Sequence, residues 1–326
     1  MVSSVFFVDA STGWVLLSCS DGRDPIVDDV CFEFASTTNA GENWSVVHPK
    51  IVDPAPQSVI TEDGQGFSGT TFLDFADTQR GWAILKRNLH VEASSGEMLR
   101  TVDGGKTWRQ LPRNTLPIAD HFRFATAQVG WVAGGGQPES DLYVTRDGGD
   151  TWSQVVISPP ADAKVEAWPP ARNGVWPDYK LPFMENAAHG FFIGSYWDGF
   201  QPRSVLFSTN DQGVTWKFDR MIPNMDGVIT IFRQTLFSVT TPQSMDKIIL
   251  SRVSLSERGV SAASVSADLH GVAIRHYNLG GGYDALFMVD DARAWVLADE
   301  LLSTSDGGAT WIDITPAEFS CTPPSW

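Results

Sequence analysis

Apolar and polar residues alternate along most of this chain, as in LYVTRD and WSQVVIS, and the segments that alternate are rich in β-branched and aromatic types. A period of two over four to eight residues predicts half-buried strands. No segment sustains a 3.6-residue period, so no long helix is expected. The strands are punctuated by two recurring phrases. The first runs from an apolar residue through a turn-forming Asp, Asn or Thr to a small residue and an aromatic. It appears as FVDASTGW, FADTQRGW, FATAQVGW, MENAAHGF and MVDDARAW, with a faint copy, FRQTLFSV, at Phe232–Val239. The second is Thr-x-Asp-x-Gly-x-Thr-Trp, at Thr101–Trp108, Thr145–Trp152, Thr209–Trp216 and Thr304–Trp311. A worn copy at Thr37–Trp44 has Asn39 for Asp and Asn43 for Thr.

Each unit therefore reads strand, turn, strand, loop, strand, turn, strand. First phrases begin at residues 7, 75, 124, 184, 232 and 288. Four-stranded units at intervals near 50 residues predict an all-β chain folded as one β-propeller of four-stranded antiparallel blades. Six blades are expected, at about 5–48, 70–112, 120–158, 184–220, 228–268 and 284–316 in a single domain spanning 1–326. A seventh is the alternative if the stretches 49–70 or 158–183 hide a decayed unit. In the second phrase, Asp bonds its own turn and Gly accepts positive φ. Trp is expected to fill the space where the outer hairpin meets the next blade, contributing about 2–3 kcal/mol per buried ring. Recurrence on blade after blade gives Asp103, Trp108, Asp147, Trp152, Asp211, Trp216, Asp306 and Trp311 a structural role, since one active site would not be copied around a ring.

These residues resemble the Asp-box, or bacterial neuraminidase repeat. With the Gly-Trp phrase added, the whole chain resembles the photosystem II stability/assembly factor-like propellers. That resemblance covers blades one to four and six well and blade five poorly. It implies a non-enzymatic scaffold that binds a protein partner. The same box occurs in sialidases, xyloglucanases and sorting receptors, so the alternative it leaves open is an exported sialidase-like or other glycoside hydrolase, or a carbohydrate-binding propeller.

Both phrases keep a fixed length of eight residues, whereas the gaps from first-phrase aromatic to box Thr are 23, 19, 14, 18 and 9. The constant turns join strands one to two and three to four, on one face of a propeller. Length variation therefore accumulates on the other face, where variable loops on a rigid scaffold carry binding. Around blade four, VEAWPPARNGVWPDYK and SYWDGFQPR supply Trp168, Arg172, Trp176, Tyr179, Tyr196, Trp197, Phe200 and Arg203. Aromatic and Arg enrichment marks protein hot spots and also sugar-stacking platforms; packing of a long loop onto the frame is the bland reading of the same residues.

Catalytic signals are weak. A sialidase would need an Arg triad, but the first strand, SSVFFVDAS, has no Arg and the Arg-Ile-Pro phrase is absent; Tyr283 is better read as a core aromatic. Asp198, Glu166, Asp178 and Glu139 could supply a carboxylate pair on the variable face. His48, His90, His121, His189, His270 and His276 show no metal spacing, and the Gly runs lack the helix and Lys of a phosphate cradle. No catalytic residue, cofactor or metal is expected. A net charge of −16 disfavours nucleic acid and anionic membrane as partners, and no apolar run predicts membrane insertion. The expected state is a monomer. The expected compartment is extracytoplasmic, periplasmic or secreted, with the signal peptide absent from this chain; the cytoplasm is the alternative. Cys19 and Cys31 flank SDGRDPIVDDV, and strands entering and leaving that loop would bring the two thiols together at its neck. A disulfide there would contribute about 3 kcal/mol in the chain-entropy account; two inert thiols are the other reading.

Overall fold

The computed structural model describes residues 2–19, 31–52, 67–68, 70–86, 97–112, 116–117, 121–134, 141–155, 157, 178–197, 201–223, 228–240, 247–255, 261–268, 286–297 and 300–316. They form six four-stranded antiparallel sheets in sequence order, each a meander: a six-bladed β-propeller. Blade one comprises Val2–Phe7, Gly13–Cys19, Cys31–Thr37 and Ser45–Val47. Blade two comprises Thr70–Phe75, Gly81–Lys86, Glu97–Thr101 and Thr107–Gln110, and blade three His121–Phe124, Gly130–Gly134, Asp141–Thr145 and Ser153–Gln154. The first strand of blade four is split into Asp178–Tyr179 and Phe183–Met184, both paired with Gly190–Trp197; Pro202–Thr209 and Lys217–Ile222 follow. Blade five is Val228–Phe232, Thr235–Thr240, Lys247–Ser254 and Ser261–Asp268. Blade six is Leu286–Met288, Ala294–Leu297, Leu301–Thr304 and Ile312–Asp313. Two short pieces of the link after blade one join these sheets. Lys50–Ile51 adds parallel to Thr107–Trp108 on the outer edge of blade two, and Phe67–Ser68 pairs with Cys31–Phe32.

The core consists of six seams, one between each pair of neighbouring blades. Trp14, Leu16 and Phe34 of blade one meet Leu73, Phe75 and Trp108 of blade two. Equivalent clusters join two to three, three to four, four to five and five to six. The last cluster packs Trp295 and Leu301 of blade six on Val5, Phe7 and Leu17 of blade one. The ring is thus closed by side-chain packing, and blade six draws its outer strand from its own segment, with no strand borrowed from the N-terminal side.

The two phrases build these seams. The Trp of the first phrase lies flat on the Phe of the next blade's first phrase: Trp14 on Phe75 at 3.7 Å and 2°, Trp82 on Phe124 at 3.6 Å and 2°. Trp295 on Phe7, at 4.0 Å and 12°, repeats the contact across the closing seam. Gly precedes the Trp because a Cβ there would lie 2.4–2.6 Å from the Phe ring of its own phrase, at Gly13, Gly81 and Gly130. The box Trp faces the other way. Trp108 packs edge-on to Phe34 of blade one, and Trp216 edge-on to Trp131 of blade three. Trp44 reaches blade six, where its indole N–H donates to the Ile314 carbonyl at 3.2 Å. The box ring therefore meets the preceding blade rather than the following one, because each outer hairpin leans back over the seam that the earlier blade's Trp has entered from the opposite side.

Candidate binding face

The turns between strands one and two and between strands three and four share one face of the ring. On the turn face, the first phrase closes on its own side chain. Asp9 Oδ1 accepts the Ser11 and Thr12 N–H groups at 2.7 Å each, and Asp77, Asn186 and Asp290 repeat the pattern in blades two, four and six. In the second phrase, the buried Thr101 hydroxyl donates to Asp103 Oδ1 at 2.9 Å and accepts the Gly105 N–H at 3.0 Å. Asp103 in turn accepts the Thr107 N–H at 2.8 Å and its hydroxyl at 2.6 Å. Blades three, four and six reproduce all four bonds around Asp147, Asp211 and Asp306. Asn39 in blade one keeps the bonds from Thr37 and the Asn43 N–H.

These carboxylates are held low by the bonds they accept. Thr215 hydroxyl and amide donors bring Asp211 to about 2, and Thr310 does the same for Asp306. At Asp103 and Asp147, partial burial pushes upward, but the bonds from Thr107 and Thr151 outweigh it and the net shift is downward. With its acceptor positions engaged by its own turn, none of these Asp residues is disposed as a general base.

The two turns of a blade are then pinned together. Gly104 N donates to the Gln79 carbonyl at 2.9 Å, and Gly148, Gln212, Gly307 and Ala40 make the matching bonds to Gln128, Ala188, Ala292 and Ser11. The preceding blade adds a donor to the box carbonyls. Trp14 Nε1 reaches Gly104 O at 3.1 Å, Trp82 Nε1 reaches Gly148 O at 2.9 Å, Arg146 Nη1 reaches Gln212 O at 3.3 Å and Arg252 Nη2 reaches Gly307 O at 2.7 Å. On the turn face, hydrogen bonds therefore tie each of these turns to itself and link blades one to four in series and blade five to blade six.

The opposite face carries the links and the connections between strands two and three. Blade four extends furthest in its second strand, with Gly190–Trp197 against Gly130–Gly134 in blade three. Three further residues project its hairpin by about 10 Å. Tyr196 pairs in register with Arg203 and Trp197 with Pro202, so both aromatics belong to strands and the connection itself shrinks to residues 198–201. The sequence suggests a loop here because a Pro and a Gly interrupt the alternation, yet the ladder continues to Pro202. Arg203 is half-buried.

Tyr179 also departs from the loop expected of it. With Asp178, it forms the first piece of blade four, pairing with Gly194 and Ser195. Its ring packs edge-on to Phe192 at 5.9 Å, in the seam between blades three and four. Leu181 and Pro182 are buried beside it, which gives Tyr179 a packing role. Trp168, Arg172, Trp176 and Phe200 lie outside the described residues, as do Glu139, Glu166, Asp198 and Tyr283. His189 takes a local partner, Glu185 Oε2 at 2.8 Å. Among the described residues, no group of three or more His, Cys, Asp or Glu could hold a metal ion, and no helix is long and apolar enough to cross a membrane.

The fold defines the class, a six-bladed β-propeller. No protein-family model matches the chain, and no curated protein matches it. Among solved structures, it is similar to YCF48 bound to D1 peptide, at 16% identity and TM-score 0.39 over 84% of this chain and 88% of that one. It is also similar to the GH74 xyloglucanase from Xanthomonas campestris, at 13% identity and TM-score 0.48, covering 97% of this chain and 47% of the other. A third is a polysaccharide lyase of family PL25, an ulvan lyase, at 10% identity and TM-score 0.39 over 93% and 81%. None of these likenesses bears on activity or partner.

Proposed function

We propose that this protein is a non-enzymatic Asp-box propeller that binds a protein partner through the face opposite its turns. The observation that carries this reading is the asymmetry between the faces. The turn-face carboxylates are engaged by their own turns, whereas the other face bears links of unequal length and the extended blade-four hairpin with Tyr196, Trp197 and Arg203. Aromatic and Arg side chains at the end of a rigid ladder lose little entropy on binding and suit an interface anchor. The sequence resemblance to assembly factor-like propellers points the same way. The proposed site adds Trp168, Arg172, Trp176 and Phe200 from the neighbouring segments, in a monomer acting outside the cytoplasm.

A glycan-binding or glycoside-hydrolysing propeller is the second reading, favoured by the same Trp and Tyr enrichment. Purified protein incubated with fluorogenic sialosides and β-glucans separates the scaffold from a hydrolase, and calorimetric titration with the unlabelled glycans separates it from a glycan binder, with no binding heat expected. The scaffold reading predicts no turnover, with Asp198→Asn and Glu166→Gln indistinguishable from the parent. Turnover lost in either variant would overturn it.

A further inference from the structure

The strands on either side of the first blade's long connection end on a cysteine each, and the ladder sets Cys19 directly opposite Cys31 as its last pair. The next strand over is also engaged: Cys31 pairs on its other side with Ser68, which the link between blades one and two brings back to this sheet. We propose that Cys19 and Cys31 form a redox-controlled clasp, a disulfide that closes the neck of the 20–30 connection on the variable face.

The geometry favours it. Directly opposed residues of antiparallel strands have Cα atoms about 4.5–5.5 Å apart, within the roughly 4.4–6.8 Å that disulfides span. Ladder pairing at the six residues before Cys19, from Gly13↔Thr37 to Ser18↔Phe32, fixes this register without a bulge. A slip of one residue would turn Trp14 and Leu16 out of the blade-two seam and Val15 and Leu17 out of the blade-six seam. The packing of the propeller thus holds the two cysteines opposite each other whether or not they are joined.

The chemistry is thiol–disulfide exchange with a disulfide donor such as oxidised glutathione or a dithiol oxidoreductase. One cysteine, as thiolate, attacks the donor's S–S bond to give a mixed disulfide and releases one donor thiol. The second cysteine thiolate then displaces the other donor sulfur. Two electrons pass to the donor, which leaves as two thiols, and the cysteine protons pass to solvent and to the departing thiolates. Joining the strand ends would lock this end of the blade-one ladder, where Ser68 also pairs with Cys31, so the oxidising state of the compartment would set the stability of that ladder end.

The test uses the full chain, equilibrated with oxidised glutathione, denatured, alkylated and mapped by mass spectrometry. The clasp predicts a Cys19–Cys31 peptide link with Cys321 alkylated, retained in Cys321→Ser. It also predicts a higher urea unfolding midpoint for the oxidised chain than for the reduced chain, a difference that vanishes in the Cys19→Ser/Cys31→Ser double variant. Three alkylated thiols, a stable glutathione adduct on either cysteine, a link to Cys321, or equal midpoints in the two redox states would overturn it.

Discussion

Adjacent residues in the box turn carry different constraints, and this decides which substitutions the protein tolerates. The first of the two has positive φ, +74° at Gly104, but also +65° at Gln212 and +63° at Ala40. At Gln212 and Ala40 a side chain is accepted there with strain, whereas at Gly148 a Cβ would lie 2.8 Å from the Ala127 carbonyl and at Gly307 it would meet the Arg252 guanidinium. The second is Gly in all five copies, because a Cβ would enter the preceding blade. At Gly105, it would lie 2.5 Å from the Phe34 ring, and at Gly213, 2.7 Å from Trp131. Gln212→Gly is therefore expected to raise stability by about 0.5–1 kcal/mol, the left-handed strain less the added unfolded-state entropy. Gly105→Ala is expected to lower it by about 2–4 kcal/mol from strain and overpacking together. Urea denaturation of the two variants checks both. Asp103→Ala loses bonds like those of a helix cap and should cost about 1 kcal/mol. The depressed carboxylates also fix the sign of the acid response. Asp211 and Asp306, near 2 when folded and about 3.9 when unfolded, contribute stability that is full above pH about 4 and lost as pH falls through about 2. The urea midpoint should drop over that window, and drop less in Asp211→Asn.

At the scale of the element, the hairpins that hold the box were readable from sequence because their bonds are local: Thr, Asp, Gly and Thr within seven positions satisfy one another. What lay beyond reach depended on neighbours. The direction in which Trp108 leans is set by Phe34 of another blade, and no spacing within Thr101–Trp108 encodes it. Blade five was faint for a related reason. Its first turn is only two residues, Arg233 and Gln234, both at positive φ, so Phe232 pairs with Thr235 and the place of the usual Trp, facing the next blade, falls to Phe237 rather than Val239. A two-residue hairpin needs no Asx side chain, and the eight-residue phrase disappears with it. The split first strand of blade four was hidden by Pro182, which interrupts the ladder between Tyr179 and Phe183 and reads in sequence as loop. The site was partly legible for the same reason: composition marked the blade-four hairpin, but only the ladder shows that Tyr196 and Trp197 stand on strands and that Tyr179 belongs to a seam.

For the whole molecule, closure rests on one seam that no covalent continuity supports. Phe7 and Trp295 stack there, and Phe6 meets Phe287 edge-on at 5.4 Å. Trp295→Ala should cost about 3–5 kcal/mol, within the range for deleting a large buried aromatic, and amide exchange should rise first in blades one and six. The proposed function divides such a frame between its two faces, the turn face for the scaffold and the opposite face for recognition. The most direct test of that division is quantitative capture of a partner first isolated with the wild-type protein from the source organism's extract, comparing Trp197→Ala with Asp103→Ala and following melting temperature in parallel. The division of labour predicts that Trp197→Ala loses at least tenfold in capture with its melting temperature nearly unchanged, while Asp103→Ala melts lower and captures normally. Capture that survives Trp197→Ala and fails in Asp103→Ala would place recognition on the turn face and contradict it.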